Sequence, residues 1–257
     1  MLAAIDVGNT NTVVGFFDGE RLVTQFRLAS HRTSTVDEVA CLLHGLMEME
    51  GLAEGDVEAA VMASVVPPLT SVFAGWAQRW LKVSPLVVGP ETPTGISIQY
   101  SSPRDVGADR IVNAVAGHAR HPGVDLVIVD FGTATTFDAV TVAGDYLGGV
   151  IVPGVTVSLD ALFLRTAKLP RVDVVRPDTV IGRDTVHSIQ SGAYYGYLSM
   201  VEGLVARMKL ELTDPVRVLA TGGLASLLCG DSSAIDEVLP DLTLLGLRLI
   251  WERNARV

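Results

Sequence analysis

One short pattern occurs twice in this chain, and its repetition restricts the folds that the chain can adopt. The segment IDVGNTNTVVG covers residues 5–15, and VDFGTATTFDAV covers residues 129–140. In both segments an apolar run contains Asp-x-Gly, small polar residues follow, and a second apolar run begins, which is typical of a β-hairpin. An offset of 124 residues, from position 6 to position 130, aligns the two segments. The matched pairs are Asp6 with Asp130, Gly8 with Gly132, and Thr12 with Thr136. The chain is therefore expected to be a duplication in which each half begins with a hairpin.

Helices and short strands follow each hairpin. Thr35 and Glu38 form a capping-box pattern ahead of a helix. Asp184 precedes a stretch whose apolar residues recur at helical spacing as far as Met208. Apolar segments typical of short strands alternate with these helices, and they are VEAAVMASVV, SPLVVG, LVIVDF and VRVLATGG. The alternation predicts an α/β fold with mixed β-sheets flanked by helices.

The length of 257 residues fits one large domain or two domains of ordinary size. Because the pattern is duplicated, we expect two domains. The segment GHARHPGV is typical of a helix end followed by a turn, so the boundary is expected near residue 116. The N-terminal domain would then span residues 1–116 and the C-terminal domain residues 117–257.

The composition limits which binding partners and which cell compartment are expected for this chain. Hydrophobic residues make up 49% of the chain and charged residues 19%, which is typical of a folded globular protein. The net charge of −10 argues against a nucleic-acid partner, because binding to a phosphate backbone needs a basic surface. The longest uncharged stretch, residues 59–78, contains two prolines and several hydroxyl residues, so no membrane role is expected. Cys41 and Cys229 form no CxxC pair and are expected in the core, which fits the reducing cytoplasm.

The usual nucleotide-binding signatures are absent from the sequence. No lysine follows a glycine, which excludes a Walker A loop, and no G-x-G occurs, which excludes the dinucleotide fingerprint. The Asp-x-Gly turn offers another way to bind phosphate. Glycine lets the backbone approach a ligand, small polar side chains donate hydrogen bonds, and an aspartate holds a hydrated cation. Tight turns alone would explain the glycines of one copy, but two copies at matched spacing favour a phosphate clamp.

The motifs of the chain resemble those of type III pantothenate kinases. The segments that carry the resemblance are DVGNTNT at 6–12, SVVP at 64–67, VGADRIVNA at 106–114, VDFGTATTFD at 129–138, GGVIVPG at 148–154 and TGG at 221–223. They occur in the family's order and span nearly the whole chain, and GADR combined with DFGTATT is specific. The family is similar to acetate and sugar kinases, Hsp70 and actin. The resemblance therefore implies two ribonuclease-H-like domains that bind ATP, as in the actin-like ATPase duplication.

The resemblance implies ATP-dependent phosphorylation of pantothenate at its 4'-hydroxyl, the first step of coenzyme A biosynthesis. It places the ATP phosphates along the first hairpin turn and against one residue of the second. The implied ATP-binding residues are Asp6, Val7, Gly8, Asn9, Thr10, Asn11, Thr12, Val13 and Thr133. Asp130 matches a ligand of a monovalent cation, K⁺ or NH₄⁺, and a divalent cation, Mg²⁺, is expected to accompany ATP.

The resemblance also implies the acceptor site. Asp109 matches the general base of the family, and the residues matching its pantothenate-binding loop are Gly107, Ala108, Asp109 and Arg110. Tyr100 and Thr185 match two further pantothenate contacts. Transfer of a γ-phosphoryl group to a primary alcohol does need an acceptor for the hydroxyl proton, and a carboxylate can serve. Arg110 could hold the pantothenate carboxylate, or it could keep Asp109 ionised, and the residues alone leave both roles open.

The resemblance implies a homodimer as well. Within the predicted helix from Thr185 to Met208, three glycines permit close approach of another backbone and three tyrosines suit an interface. These residues are Gly192, Gly196, Gly203, Tyr194, Tyr195 and Tyr197.

Two other functions compete with the pantothenate kinase interpretation. One is a superfamily kinase for another small hydroxylated acid or sugar, and the other is a kinase-fold regulator that acts through partner binding.

Overall fold

The computed structural model describes residues 1–213 and 215–255. It divides into two compact units. The first unit contains Met1–Ile96, Ser101–Ala116 and the chain from Thr243 onward, and the second contains Ser97–Tyr100 and Gly117–Leu242. The domain boundary expected near residue 116 stays a prediction. Relative to it, the chain after Thr243 joins the first unit and residues 97–100 join the second.

Strands and helices alternate along the chain. The strands are β1 (Leu2–Val7), β2 (Asn11–Asp18), β3 (Arg21–Ala29), β4 (Ala59–Ser64), β5 (Leu86–Val87), β6 (Ser97–Ile98), β7 (Asp125–Phe131), β8 (Ala134–Val140), β9 (Asp145–Pro153), β10 (Val216–Thr221) and β11 (Glu237–Val238). The helices are α1 (Val36–Met49), α2 (Pro67–Trp76), α3 (Ala108–Arg120), α4 (Val155–Arg165), α5 (Thr185–Ser191), α6 (Tyr197–Lys209), α7 (Ala225–Leu228) and α8 (Leu242–Ala255).

The two sheets have the same strand order around the Asp-bearing strand. In the first unit the order is β3-β2-β1-β4-β5, with β1 antiparallel to β2 and parallel to β4. In the second unit it is β11-β10-β7-β8-β9-β6, with β7 antiparallel to β8 and parallel to β10. The predicted α/β class with mixed sheets flanked by helices is confirmed, and the shared order supports a duplication.

Both faces of the first sheet are buried. Ala3, Ile5 and Val7 belong to a core cluster that includes residues of α1 and α2. Leu2 and Ala4, on the opposite face, belong to a cluster that includes residues of α3 and α8. Two-sided burial explains why β1 is a nearly continuous apolar run rather than an alternating one. Because successive side chains alternate in a strand, Asp6 lies on the α3 and α8 side.

Local capping begins the helices that the sequence predicts. At α1 the Glu38 N–H donates to the Thr35 hydroxyl at 3.3 Å and the Thr35 N–H donates to the Glu38 carboxylate at 2.7 Å, which confirms the capping box. At α5 the His187 N–H donates to the Asp184 carboxylate at 2.8 Å. Such caps typically contribute about 1 kcal/mol to helix stability.

The helical stretch after Asp184 contains a local irregularity. A π-helical turn at Gly192–Gly196 joins α5 to α6. Tyr194 and Tyr197 are buried in the core of the second unit, so the prediction that they face an interface is wrong. Their rings fill the space between the helix and the sheet, which an apolar stripe alone does not distinguish from an interface.

The register of the two hairpins differs by one residue. In the first hairpin Val7 pairs with Thr12, whereas in the second Phe131 pairs with Thr135. The residue that corresponds to Thr12 in the pairing is therefore Thr135, and the sequence match of Thr12 with Thr136 is wrong by one position. Both Thr12 and Thr135 are buried. The second turn is shorter by one residue, which a fixed sequence offset cannot represent.

The two cysteines differ in exposure. Cys229 is buried as expected, whereas Cys41 is exposed on α1, so its expected place in the core is wrong. Within residues 1–213 and 215–255, no helix has the length and apolar character that a membrane span requires.

Candidate functional site

The first hairpin turn presents polar groups beyond the end of β1. Residues 8–11 form the turn, and the Gly8 N–H donates to the Asn11 carbonyl at 3.1 Å. A Cβ on Gly8 would lie 2.8 Å from that carbonyl oxygen, so the turn needs glycine here. Asn9, Thr10 and Asn11 are exposed. This part of the predicted ATP-binding segment is therefore accessible to a ligand.

The far side of the turn is anchored to β3. The Ser30 N–H donates to the Thr10 carbonyl at 2.9 Å, and the Thr12 and Ser30 hydroxyls share a hydrogen bond of 2.9 Å. The Arg32 guanidinium donates to the Asn9 side-chain oxygen at 3.3 Å. Val7, Thr12 and Val13 are buried in the strand pair. These bonds support the turn on the side of Ser30 and Arg32, while Asn9, Thr10 and Asn11 stay exposed.

The predicted base lies in the first turn of α3. Gly107 precedes the helix, and its carbonyl accepts from the Arg110 N–H at 3.1 Å. The Asp109 carboxylate turns back and accepts from the Arg110 N–H at 2.9 Å. A Cβ on Gly107 would lie 2.5 Å from the Asp109 Oδ1 atom. Glycine at this position therefore leaves room for the Asp109 carboxylate.

Burial and Arg110 shift the pKa of the Asp109 carboxyl in opposite directions. Burial raises the pKa of the Asp109 carboxyl above its usual value near 3.8. The Arg110 N–H and the guanidinium charge of Arg110 lower the pKa, but burial has the larger effect. Arg110 itself is 7% exposed. Its charge thus favours the ionised form of Asp109, while a contact with the pantothenate carboxylate stays a prediction.

Val65 links the first hairpin to the loop that carries Asp109. Its N–H donates to the carbonyl of Val7, at the end of β1, at 3.1 Å. Its Cγ1 atom lies 3.7 Å from the position of a Cβ on Gly107. The SVVP segment therefore connects the first hairpin turn with the loop of the predicted base in the first unit. Ligands of open α/β sheets typically bind at this carboxyl end of the strands.

In the second unit, Asp130 lies at the corresponding strand end. It pairs with Thr221 of β10, and Gly222 follows with a φ of +94°. A Cβ on Gly222 would lie 2.5 Å from the Asp130 Oδ1 atom and 2.6 Å from the Phe131 nitrogen. The TGG segment therefore packs its backbone directly against the Asp130 carboxylate. Carboxylate oxygens are ligands that hard cations accept, and Asp130 as a cation ligand stays a prediction.

The second hairpin turn is covered by another backbone segment. The Gly154 N–H donates to the Thr133 carbonyl at 3.0 Å, and a Cβ on Gly154 would lie 2.5 Å from the carbonyl oxygens of Gly132 and Thr133. Gly132 and Thr133 remain exposed. The GGVIVPG segment thus encloses one side of this turn and leaves the Thr133 side accessible.

Thr185 lines a pocket of about 800 Å³ in the second unit. Its walls come mainly from α4, α5 and the segment before α5, and they include Leu159, Ile189 and Tyr197. The Tyr197 hydroxyl donates to the Pro153 carbonyl at 3.0 Å and also contacts the Thr135 hydroxyl. Tyr197 therefore both lines the pocket and contacts the second hairpin.

Tyr100 lies next to a second tyrosine. It follows β6, and its ring centroid is 6.5 Å from that of Tyr146. A Cβ on Gly148 would lie 3.1 Å from the Tyr100 ring. Tyr100 is 37% exposed, so part of its ring is accessible for an acceptor.

The acidic residues are visible in the sequence patterns, whereas the residues that support them are not. Val65, Gly154 and Gly222 lie in motif segments that assign them no role, and Asp138 and Tyr146 carry no signal of their own. A glycine directly after an apolar strand was a usable signal for Gly222. Asp138 and Tyr146 lie on the two strands of the β8–β9 hairpin, and a bulge between Ala139 and Val140 shifts the register, so simple alternation does not pair them.

The predicted residues are divided between the two units, and Val65 contacts both parts of the set in the first unit. The group of the first unit consists of Asp6 to Val13 with Gly107 to Arg110. The group of the second unit consists of Tyr100, Asp130, Thr133 and Thr185. Among residues 1–213 and 215–255, no group of three or more His, Cys, Asp or Glu side chains could hold a metal ion.

Two solved structures resemble this chain in fold. A Sinorhizobium meliloti protein described as a candidate 2-dehydro-3-deoxygalactonokinase gives a TM-score of 0.60 at 12% identity, with 100% of both chains covered. The component A of (R)-2-hydroxyglutaryl-CoA dehydratase from Acidaminococcus fermentans gives 0.58 at 16% identity, covering 100% of this chain and 99% of that chain. These likenesses show the fold, which is that of actin-like ATPases and sugar kinases.

Sequence comparison gives the family. A family model described as type III pantothenate kinase matches residues 2–207. The type III pantothenate kinase of Geobacter sulfurreducens is 52% identical over 254 residues, which cover 99% of this chain and 99% of that protein. The chain belongs to the type III pantothenate kinase family.

Proposed function

We propose that this chain transfers the γ-phosphoryl group of ATP to the 4'-hydroxyl of pantothenate, in the first step of coenzyme A biosynthesis, with Asp109 as the general base. The observation that carries the proposal is the first turn of α3, where the Asp109 carboxylate lies against Gly107 and beside Arg110. Family membership supports the reaction. The roles of individual residues are our inference from the geometry.

The first hairpin turn would bind the ATP phosphates. Its exposed residues Asn9, Thr10 and Asn11 supply amide and hydroxyl groups, and Gly8 lets the backbone approach the ligand. A kinase of this family uses ATP together with a divalent cation, and Asp6 would hold this hydrated cation at the end of β1. Thr133 would contact the phosphates from the second unit.

Asp130 would hold the monovalent cation, K⁺ or NH₄⁺. Its carboxylate lies against the Gly222 backbone, so it has one restricted position. Such a cation supplies positive charge that neutralises phosphate oxygens during transfer. The chain's own contribution is the fixed oxygen donor.

Asp109 would accept the proton of the 4'-hydroxyl. The hydroxyl oxygen then attacks the γ-phosphorus, the bond from the γ-phosphorus to the bridging oxygen breaks, and ADP leaves. Such a positioned base contributes a factor of about 10² to 10⁴. Gly107, Ala108, Arg110, Tyr100 and Thr185 would position pantothenate for this step.

The test is ADP release by the purified protein with ATP, Mg²⁺ and pantothenate, with and without K⁺. Asp109→Asn should lose at least about 10²-fold in kcat. Asp105→Asn is the matched control, because Asp105 is an exposed carboxylate in the same loop, and it should retain activity. Equal activities of the two variants would contradict the role of Asp109.

The pH dependence gives a second test of Asp109. Since burial raises the pKa of Asp109, kcat/KM should fall at low pH through an ionisation above 3.8, as the base becomes protonated. A raised folded-state pKa also means that this group stabilises the fold at low pH and ceases to do so as pH rises through that pKa. Asp109→Asn should therefore unfold at a temperature no lower than wild type at neutral pH, so its lost activity would not reflect unfolding.

The competing functions predict different results from the same assay. A kinase for another small hydroxylated acid would release ADP with that acid and not with pantothenate. A regulator acting through partner binding would release no ADP with any acceptor while remaining folded. The presence of both Asp109 and the first Asp-hairpin favours the kinase.

The exposed face of α6 and the preceding turn supports a homodimer. Gly192 and Gly196 are exposed and have no atom within 4 Å of an added Cβ, so nothing in this chain requires glycine there. Together with Ser199 and Ala206 they form a line of small exposed residues, which permits close approach of a second helix. Gly196→Leu should shift the protein from dimer to monomer in sedimentation, whereas Gly45→Leu, at an open glycine of α1, should not.

The remaining expectations about location and partners also stay predictions. The cytoplasm is our predicted location. Nucleic acid and membrane are not among the predicted partners, given the net charge of −10.

A further inference from the structure

We infer that Asp138 and Tyr146 form a positioning pair that fixes the Tyr100 ring for acceptor binding, an inference that rests on the proposed contact of Tyr100 with pantothenate. Neither residue of the pair has a role in the proposed chemistry. Both are positioning residues, because they act through Tyr100.

The pair is fully buried in the second sheet. Asp138 of β8 and Tyr146 of β9 are each 0% exposed. The Tyr146 hydroxyl donates to Asp138 Oδ1 at 2.6 Å, and the Thr136 hydroxyl donates to Asp138 Oδ2 at 3.3 Å. Burial of a carboxylate is costly unless it is well hydrogen-bonded, and an apolar pair of similar volume often stabilises a core equally well. A buried polar pair here therefore suggests a purpose other than stability.

Tyr146 supports the Tyr100 ring from one side. The two ring planes are tilted by 58°, with centroids 6.5 Å apart. Backbone pairing sets this contact, since Ile98 of β6 pairs with Tyr146 and the Gln99 N–H donates to the Tyr146 carbonyl at 2.9 Å. Aromatic pairs at such distances and angles have a preferred geometry. The orientation of Tyr146 thus restricts that of Tyr100.

Gly148 supports the same ring from β9. It has a φ of +116°, a conformation that favours glycine, and an added Cβ would lie 3.1 Å from Tyr100 Cε2. The Tyr100 ring therefore packs over the Gly148 backbone as well as against Tyr146. β6 has only two residues and ends before Tyr100, so strand pairing places Tyr100 beside Tyr146, and the ring contacts fix its orientation.

The same carboxylate also connects to the second hairpin. Thr136, which donates to Asp138, pairs directly with Asp130 across β7 and β8. The support of Tyr100 and the strand end that carries Asp130 therefore share one buried group. Without its hydroxyl bond the Tyr146 ring can rotate. This rotation would displace the Tyr100 ring first, because Tyr100 is in contact with Tyr146 and is partly exposed.

The test compares two substitutions that each remove a tyrosine hydroxyl bound to a carboxylate. Tyr146→Phe removes the bond to Asp138, and Tyr194→Phe removes the 3.0 Å bond from Tyr194 to Asp231 in the same unit. Tyr146→Phe should raise the KM for pantothenate about tenfold, with kcat and the KM for ATP changed less than about twofold. Tyr194→Phe should leave all three values unchanged.

A double-mutant cycle tests whether the effect passes through Tyr100. Tyr100→Ala should also raise the KM for pantothenate, and adding Tyr146→Phe to it should have no further effect. Additive changes would overturn the route through Tyr100. Asp138→Asn, which preserves the side-chain size, should change the KM for pantothenate in the same direction as Tyr146→Phe and serves if Tyr146→Phe is poorly folded.

The failures of the two hypotheses are distinguishable. If wild type releases ADP with pantothenate and Tyr146→Phe behaves like Tyr194→Phe, the positioning pair is wrong and the proposed function stands. If wild type releases no ADP with pantothenate, the proposed function fails and the positioning role fails with it.

Discussion

The two Asp-hairpins share strand order and Asp-x-Gly, yet they differ in the turn and in what surrounds it. The first has residues 8–11 in its turn, with exposed polar side chains, and β3 supports it. The second has residues 132–134 in its turn. The Gly154 backbone packs against this turn, and the Gly222 backbone packs against the strand end at Asp130 and Phe131. The first turn therefore presents more polar side chains to a ligand, whereas the Gly154 backbone restricts the carbonyl oxygens of Gly132 and Thr133 in the second.

We propose that the two copies have different roles in binding the phosphates and the cation. The first copy is suited to binding a flexible triphosphate through several small polar groups. The second is suited to holding one carboxylate, Asp130, in a single position for a cation. Duplicated structure therefore does not imply duplicated chemistry, and the division can be tested by making matched substitutions in both hairpins.

The largest effects are expected from Asp6→Asn and Asp130→Asn. Each should reduce kcat/KM by about 10² to 10³, the usual loss when a charge-stabilising group is removed. Asp6→Asn should keep its response to K⁺ and need more Mg²⁺, whereas Asp130→Asn should lose the response to K⁺. Kinetics across both salts measures this, with Asp18→Asn at the exposed end of β2 as the control. Identical salt profiles in the two variants would refute the division of roles.

The next effect concerns the support of Asp130. Gly222→Ala introduces a Cβ at 2.5 Å from the carboxylate, at a φ of +94°, and should reduce kcat about 10²-fold because a misplaced group loses alignment. Gly223→Ala is the control, because an added Cβ there has no atom within 4 Å. Full activity of Gly222→Ala with K⁺ would show that the position of Asp130 is not set by this contact.

A smaller effect is expected at the matched turn glycines. Gly8→Ala places a Cβ 2.8 Å from a backbone oxygen, whereas Gly132→Ala places one at 3.3 Å, where a slight shift suffices. Gly8→Ala should raise the KM for ATP about tenfold, the loss that about 1.4 kcal/mol of binding energy gives. Gly132→Ala should change it less than about threefold. The reverse order would mean that the enclosed turn is the main phosphate site.

The smallest effect concerns stability rather than activity. Thr12→Val removes a bond to the half-buried Ser30, and Thr135→Val removes one to the buried Tyr197. Each should cost about 1 kcal/mol of unfolding free energy, with the larger loss for Thr135, since Tyr197 has less access to water. Thermal unfolding of the two variants measures the difference. A larger loss for Thr12→Val would show that the first hairpin is the more tightly packed one.

Local patterns were sufficient for much of the fold and for the acidic residues of the site. The capping box at Thr35 and Glu38, the cap at Asp184 and both hairpins depend on neighbours close in sequence, so their signals were readable. The resemblance to the family supplied the expected roles of Asp109 and Asp130, which periodicity and spacing do not specify.

Features of the fold and the site that depend on tertiary packing could not be predicted from the sequence. The one-residue difference between the turns goes with the packing of Gly154 over residues 132–133, some 20 positions further along the chain. Tyr194 and Tyr197 have the composition of an interface, and only the packed core shows that they face inward. The Asp138 and Tyr146 pair lies across the β8–β9 hairpin, where a bulge between Ala139 and Val140 shifts the register away from simple alternation.

The place of α8 has a consequence for the order of folding. Leu244, Leu247 and Ile250 of this last helix complete the core on one face of the first sheet, and Gly246 lets α8 approach the backbone of α3 closely. During synthesis, therefore, that face of the first sheet stays uncovered until α8 has been made, more than 200 residues after β1. The chain cannot mature strictly from its N-terminus, as separate domains in a row do, and the nascent first unit is the stage at which a chaperone would be of most use.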